Sequence, residues 1–159
     1  MKADLSITCP DLFGHIATYQ AETVRFRPAA YGMLEHDHAI LLAQSRFTGL
    51  WDFPGGGVEP HELLSDGMIR EFREETKLQV VAEELIHVAE AYIAMFGRPF
   101  HSLRFYYRCR LELSDIADAQ ADPKELKDLR WWRLDDLPQQ EMHPTDWVAL
   151  TRFLTGANH

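Results

Sequence analysis

The sequence predicts an α/β/α sandwich or another α+β arrangement, and three observations predict it. Short apolar or alternating runs of strand length recur along the chain, two segments carry apolar residues at helical spacing, and these are mixed without regular βαβ alternation. The 159 residues suit one domain with one sizeable core, taken as 1–159. An apolar content of 46% and a charged content of 26% are ordinary for a globular protein.

Met1 to Gln20 is weakly patterned and reads as a partly ordered lead-in. It lacks a basic region followed by an apolar run and a small-residue cleavage site, so it does not read as a signal peptide. Glu22 to Met33 alternates through Val24, Phe26 and Tyr31, a strand edged at Pro28. A polar turn at Glu35 to Asp37 leads to a buried strand, Ala39 to Ala43. Trp51 to Phe53 is extended, as the residue before Pro54 should be. Gly55, Gly56 and Gly57 form a flexible loop, and Leu63 to Thr76 a helix with Ile69, Phe72 and Thr76 at three- to four-residue spacing. Val80 to Ala91 and Leu103 to Leu113 are strands, Ala117 to Lys127 a loop, and Leu129 to Leu134 the final strand. Thr145 caps a last helix to about Leu154.

Composition excludes several classes. No stretch is long and apolar enough to span a membrane. Two distant cysteines, Cys9 and Cys109, suggest neither a disulfide framework nor a zinc site, so a reduced cytoplasm is expected. The net charge of −9 argues against a duplex nucleic acid partner. An acidic chain can hold an anionic nucleotide only where bound cations and placed arginines reverse the local sign.

The most informative stretch is Arg70-Glu71-Phe72-Arg73-Glu74-Glu75. On a helix Glu71, Glu74 and Glu75 share one face, within roughly 100°. Glu71 and Glu75 are then a like-charge i,i+4 pair, costing a few tenths of a kcal/mol. Glu74 and Glu75 also fall in the last turn, where the helix dipole favours cations. A solvated face with an ordinary Arg70–Glu74 pair is the bland alternative. A divalent cation would remove the conflict, since magnesium prefers hard oxygen ligands.

The wider pattern decides between them. Gly56-x5-Glu62-x7-Arg70-Glu71-Phe72-x-Glu74-Glu75-x-x-Leu78 resembles the Nudix box, G-x5-E-x7-R-E-U-x-E-E-x-G-U, where U is bulky and apolar. It departs only at Lys77, where the box has glycine. Looser similarity covers Trp51 to Gly56 and Arg130 to Pro138. The resemblance implies a mixed β-sheet between helices, with the box as loop-helix-loop. It also implies hydrolysis of a nucleoside diphosphate linked to another group, using Mg2+ or Mn2+. By motif position Glu74 and Glu75 are the principal metal ligands, and Glu71 is a ligand or the base that activates water. Arg70 orients the carboxylates, Glu62 assists the metal shell, and Gly55 or Gly56 offers a backbone carbonyl. Glu125 is a further carboxylate, and Arg46 a phosphate contact. Lys77 in a left-handed position costs roughly 1 kcal/mol, and Gly67 within the helix costs about as much.

Other features have plainer readings. His36-x-His38 falls in a turn, which is favoured over a zinc site. Gly55 to Gly57 lacks the Gly-Lys-Ser/Thr of a P-loop. Phe105 to Tyr107 and Trp131-Trp132 are read as core before base-stacking groups. Tyr92, Met95 and Phe96, before a Gly97-Arg98-Pro99 turn, are candidates to line a substrate pocket. The expected substrate is a nucleoside triphosphate. The alternatives are ADP-ribose or a nucleotide sugar and, in another class, a non-catalytic nucleotide-binding module. A homodimer is common among similar proteins.

Overall fold

Strand alternation builds two cores on opposite faces of one sheet. The computed structural model describes residues 4–156. Its strands are β1 (Ser6–Pro10), β2 (Ile16–Gln20), β3 (Arg25–His36), β4 (Ala39–Ser45), β5 (Trp51–Asp52), β6 (Gly55–Gly57), β7 (Val80–Met95), β8 (Arg98–Leu111) and β9 (Leu126–Arg133). The helices are α1 (Leu64–Thr76) and α2 (Pro144–Gly156). Successive strand residues face opposite ways. Tyr31, Met33, Ile40 and Leu42 therefore pack with Leu150 and Phe153 of α2, while Ala30, Leu34 and Leu41 pack with Met68 and Phe72 of α1. The result is the expected α/β/α sandwich. Phe72 is fully buried, which contributes about 1.5–3 kcal/mol.

The seven-stranded sheet follows β5-β4-β3-β8-β7, with β6 also on β3 and β9 on β4. Strand β3 pairs parallel to β8 and antiparallel to β6 and β4, so the sheet is mixed. The β3–β4 turn is shorter than Glu35 to Asp37, because Asp37 and His38 both take positive φ (53° and 59°). That is the backbone of a two-residue hairpin turn. Residues 7 and 8 of the lead-in already belong to an antiparallel hairpin of β1 and β2, in register from Ser6↔Gln20 to Pro10↔Ile16. The expected loose segment is thus ordered from Ser6 onward, and residues 1–3 lie outside the described part. Strand β7 also runs past Ala91 to Met95, and β8 starts at Arg98.

Two further expectations are corrected. Gly55 to Gly57 is a strand held on Ala29 to Tyr31, not a flexible loop. Thr145 lies inside α2; the amide of Thr145 donates to His143 Nδ1 (3.2 Å), so the residue before Pro144 does the capping. Among the described residues no helix is long and apolar enough to cross a membrane.

Candidate active site

Arg70 sits at the centre of the box. Its Nε and Nη2 donate to both oxygens of Glu62 (2.8 and 2.7 Å), and Nη2 also donates to the Gly57 carbonyl at 3.1 Å. Nη1 donates to Glu71 Oε1 at 3.0 Å and reaches Glu74 at 3.3 Å. The fork geometry of guanidinium suits this use, which a lysine could not reproduce. Hydrogen bonds from Arg70 and from the Glu59 amide hold the Glu62 carboxyl at about 2. The loop from Gly57 to Glu62 is thereby strapped to α1.

Glu71 and Glu75 face a different environment. Both line a cavity of about 430 Å³ together with the Gly55–Gly57 strand and Glu125. The Gly55 amide donates to Glu75 Oε2 at 3.1 Å. Burial, reinforced by Glu71, Asp52 and Glu125, pushes the Glu75 carboxyl up to about 9 despite that bond. Burial raises Glu71 too, against the pull of Arg70. The backbone must come close here. A Cβ on Gly56 would stand 2.9 Å from the Glu71 carboxylate, and one on Gly55 (φ +153°) only 2.2 Å from the Ala30 carbonyl.

The donor set fits a hard divalent cation. It offers the carboxyl oxygens of Glu71, Glu75 and Glu125 in one lining, more acidic groups than Arg70 pairs with. Among the described residues, no three histidine, cysteine, aspartate or glutamate side chains already converge at ligating distance.

The opposite wall holds a buried cluster that spacing in the sequence did not disclose. Arg104 donates to Asp52 Oδ2 (2.9 Å) and Asp146 Oδ1 (2.8 Å), and Tyr106 donates to the same Asp146 oxygen. The guanidinium lies 4.2 Å above the Tyr31 ring. Burial and the neighbouring Asp146 raise the Asp52 carboxyl to about 7, against Arg104. The partners are 42 and 52 residues from Arg104. The sequence signal was charge in the extended Trp51 to Phe53 piece, on the Leu103 to Leu113 strand and in the last helix.

Of the expected site residues, Glu71, Glu75, Glu125, Gly55, Gly56, Tyr92 and Phe96 line the one cavity. Glu62 and Arg70 stand behind it. Glu74 is on the box face, but its side chain is 54% exposed and meets Arg70, not the cavity. Arg46 is exposed and lies outside the lining, its backbone amide bonded to the Glu125 carbonyl (3.1 Å). A different arginine, Arg27, stands at the cavity. It lines the cavity, makes no ion pair among the described residues, and lies so close to Gly57 that a Cβ there would meet its Nη2 at 3.2 Å. Lys77 does adopt the left-handed conformation (φ 65°), with its Nζ donating to the Glu74 carbonyl at 3.0 Å. Gly67 is excused by packing, since a Cβ would meet Val58 at 2.9 Å.

Comparison with known proteins agrees with this geometry. The NUDIX domain model matches residues 25–153. The chain is 33% identical over 117 residues to an NAD-capped RNA hydrolase, NudC, of Stutzerimonas stutzeri (strain A1501), covering 72% of this chain and 39% of that protein. It is 40% identical over 73 residues to CTP pyrophosphohydrolase of Escherichia coli (strain K12), covering 43% of this chain and 53% of that one. The chain thus spans about two fifths of the first relative's length and about half of the second's. A MutT NUDIX hydrolase from Burkholderia pseudomallei superposes with a TM-score of 0.66 at 25% identity, covering 80% of this chain and 98% of that one. With the box, the sandwich and the family match all in place, the chain belongs to the Nudix family of hydrolases.

Proposed function

We propose that the chain hydrolyses a phosphoanhydride bond of a nucleotide, with a nucleoside triphosphate as the first candidate and Mg2+ or Mn2+ as cofactor. The observation that carries this reading is a cavity lined by two carboxyls that burial raises, Glu71 and Glu75, and by Arg27, which makes no ion pair among the described residues. Glu71, Glu75 and Glu125 would hold the cation, with a carbonyl from Gly55 or Gly56. Glu74 joins them only if it leaves Arg70. The bound cation would polarise the phosphoryl oxygens and offset charge on the leaving phosphate.

The chain's own groups supply the rest. Arg70 engages Glu71 Oε1, leaving Oε2 without a hydrogen-bond partner among the described residues. That oxygen takes the proton of the attacking water as one P–O bond forms and the anhydride P–O bond breaks. Arg27 binds a phosphate oxygen of the substrate. Arg70 and Glu62 hold the box loop against α1 throughout. The 40% identity to a CTP pyrophosphohydrolase over the shared stretch supports a nucleoside triphosphate. Two free, buried cysteines suit a reduced cytoplasmic setting.

Phosphate release from a panel of nucleoside triphosphates, ADP-ribose and nucleotide sugars tests the reading, with pyrophosphatase added and magnesium varied. Activity that requires the metal is expected. Activity on no member, with nucleotide still bound, would favour a binding module.

A further inference from the structure

The hairpin of β1 and β2 precedes the residues matched by the family model, which begin at 25. Nothing in the box requires it, yet it reaches the cavity. Pro10 and Leu12 are part of the cavity lining. Their position is fixed in two ways. Asp11 forms a parallel bridge with Ala94 of β7. Its Oδ1 accepts the amides of Phe13 and His15 (2.8 and 2.9 Å), tying the turn around Leu12 to itself.

Strand register shows which end of the cavity this is. Gly55, bonded to Glu75, pairs with Tyr31, and Tyr31 pairs with Tyr106. Ala94, beside the hairpin, pairs with Pro99. Tyr106 and Pro99 are seven residues apart on β8, about 23 Å at 3.3 Å per residue. The hairpin therefore stands well along the strand direction from Gly55 and its partner Glu75. The chemistry changes along the way, because that end is lined by Pro10, Leu12, Ile93, Met95 and Phe96 instead of acids. The cavity's roughly 430 Å³ is near the lower end of the about 300–1,000 Å³ of small-molecule sites.

We propose that the N-terminal hairpin is a fixed end wall, and that Leu12 sets the length of substrate the cavity accepts. The inference rests on the hydrolytic reading above for the direction in which the substrate lies. Phosphates would sit at Glu71, Glu75 and Arg27, and the uncharged, flat end of a mononucleotide would abut Leu12. A substrate continuing past its base or second sugar would collide with the hairpin. Leu12 acts in specificity and takes no part in the chemistry.

The test compares full-length wild type with Leu12→Trp and Leu12→Ala. Calorimetry with Mg2+ gives Kd for a non-hydrolysable nucleoside triphosphate analogue and for NAD, and hydrolysis of both classes is followed alongside. Leu12→Trp should weaken the mononucleotide analogue about tenfold or more. Leu12→Ala should shift the NAD-to-mononucleotide Kd ratio towards NAD by about tenfold. Unchanged melting temperatures separate this from a folding defect. Ratios within about twofold of wild type in both variants would overturn the end-wall role. A shifted Kd ratio in a protein that hydrolyses nothing would uphold the wall and sink the hydrolytic reading.

Discussion

Two arginines organise the charges of this molecule, and they do so in opposite ways. Arg70 serves Glu62, Glu71 and Glu74, all within eight residues, on a box whose outer carboxylate is half exposed. Arg104 serves Asp52 and Asp146, gathered from three distant segments, and Asp146 is only 4% exposed. Each cation faces more carboxylates than it can neutralise. At the box, solvent screens the outer excess, while burial raises the inner carboxyls of Glu71 and Glu75. At the Arg104 cluster the excess is met by protons, as the raised Asp52 carboxyl shows. The local network thus ties the box loop to α1, and the long-range one ties strands to α2.

Swapping the two roles would break the contrast. Removing the buried cation should cost stability first. Arg104→Met strands two carboxylates near the core, and loss of one partner of a buried pair costs about 3–5 kcal/mol. Chemical denaturation should show the loss at pH 8 and a smaller one at pH 5, where Asp52 holds a proton. Glu75→Gln should do the reverse, leaving the fold intact while turnover with saturating magnesium falls by about a hundredfold or more. Glu74→Gln should cost much less, because Glu74 faces Arg70 from solvent. Arg70→Lys loses the fork to Glu62 and should reduce kcat by about tenfold to a hundredfold, measured with the same assay.

The proton on Glu75 sharpens the comparison further. Its carboxyl is raised from the ordinary 4.5 to about 9 in the folded chain. The folded state then binds the proton more tightly than the unfolded one. Stability from this group is fully present below about pH 4.5 and is lost as pH rises towards 9. Without divalent ions the wild-type melting temperature should fall over that window, more steeply than in Glu75→Gln. The smallest effect is expected at the helix end. Lys77→Gly relieves a left-handed residue but loses the bond to the Glu74 carbonyl, for a net gain below about 1 kcal/mol.

The contrast also explains what could be read from sequence. Glu62, Arg70, Glu71 and Glu75 lie within fourteen positions on a loop and one helix, where periodicity fixes mutual placement. The sandwich was legible because β3 and β4 alternate between two cores. Arg104 with Asp146 was not, since parallel pairing of β3 with β8 and the seat of α2 are set by tertiary packing. The hairpin at Ser6 to Gln20 escaped for a related reason. Its strands are mostly exposed and alternate weakly, so backbone pairing defines them where hydrophobic pattern does not.

If the proposed reading holds, the carboxylates on the inner side of α1 take up a divalent cation in exchange for a proton. Titration calorimetry of Mn2+ into the ligand-free protein, repeated across pH in buffers of different ionisation heat, tests it directly. Proton release on binding is expected, with affinity that climbs between pH 6 and pH 9, the interval ending where Glu75 ionises at about 9, and a loss of about tenfold or more in Glu75→Gln. Equal affinity in wild type and Glu75→Gln, with no proton released, would contradict it.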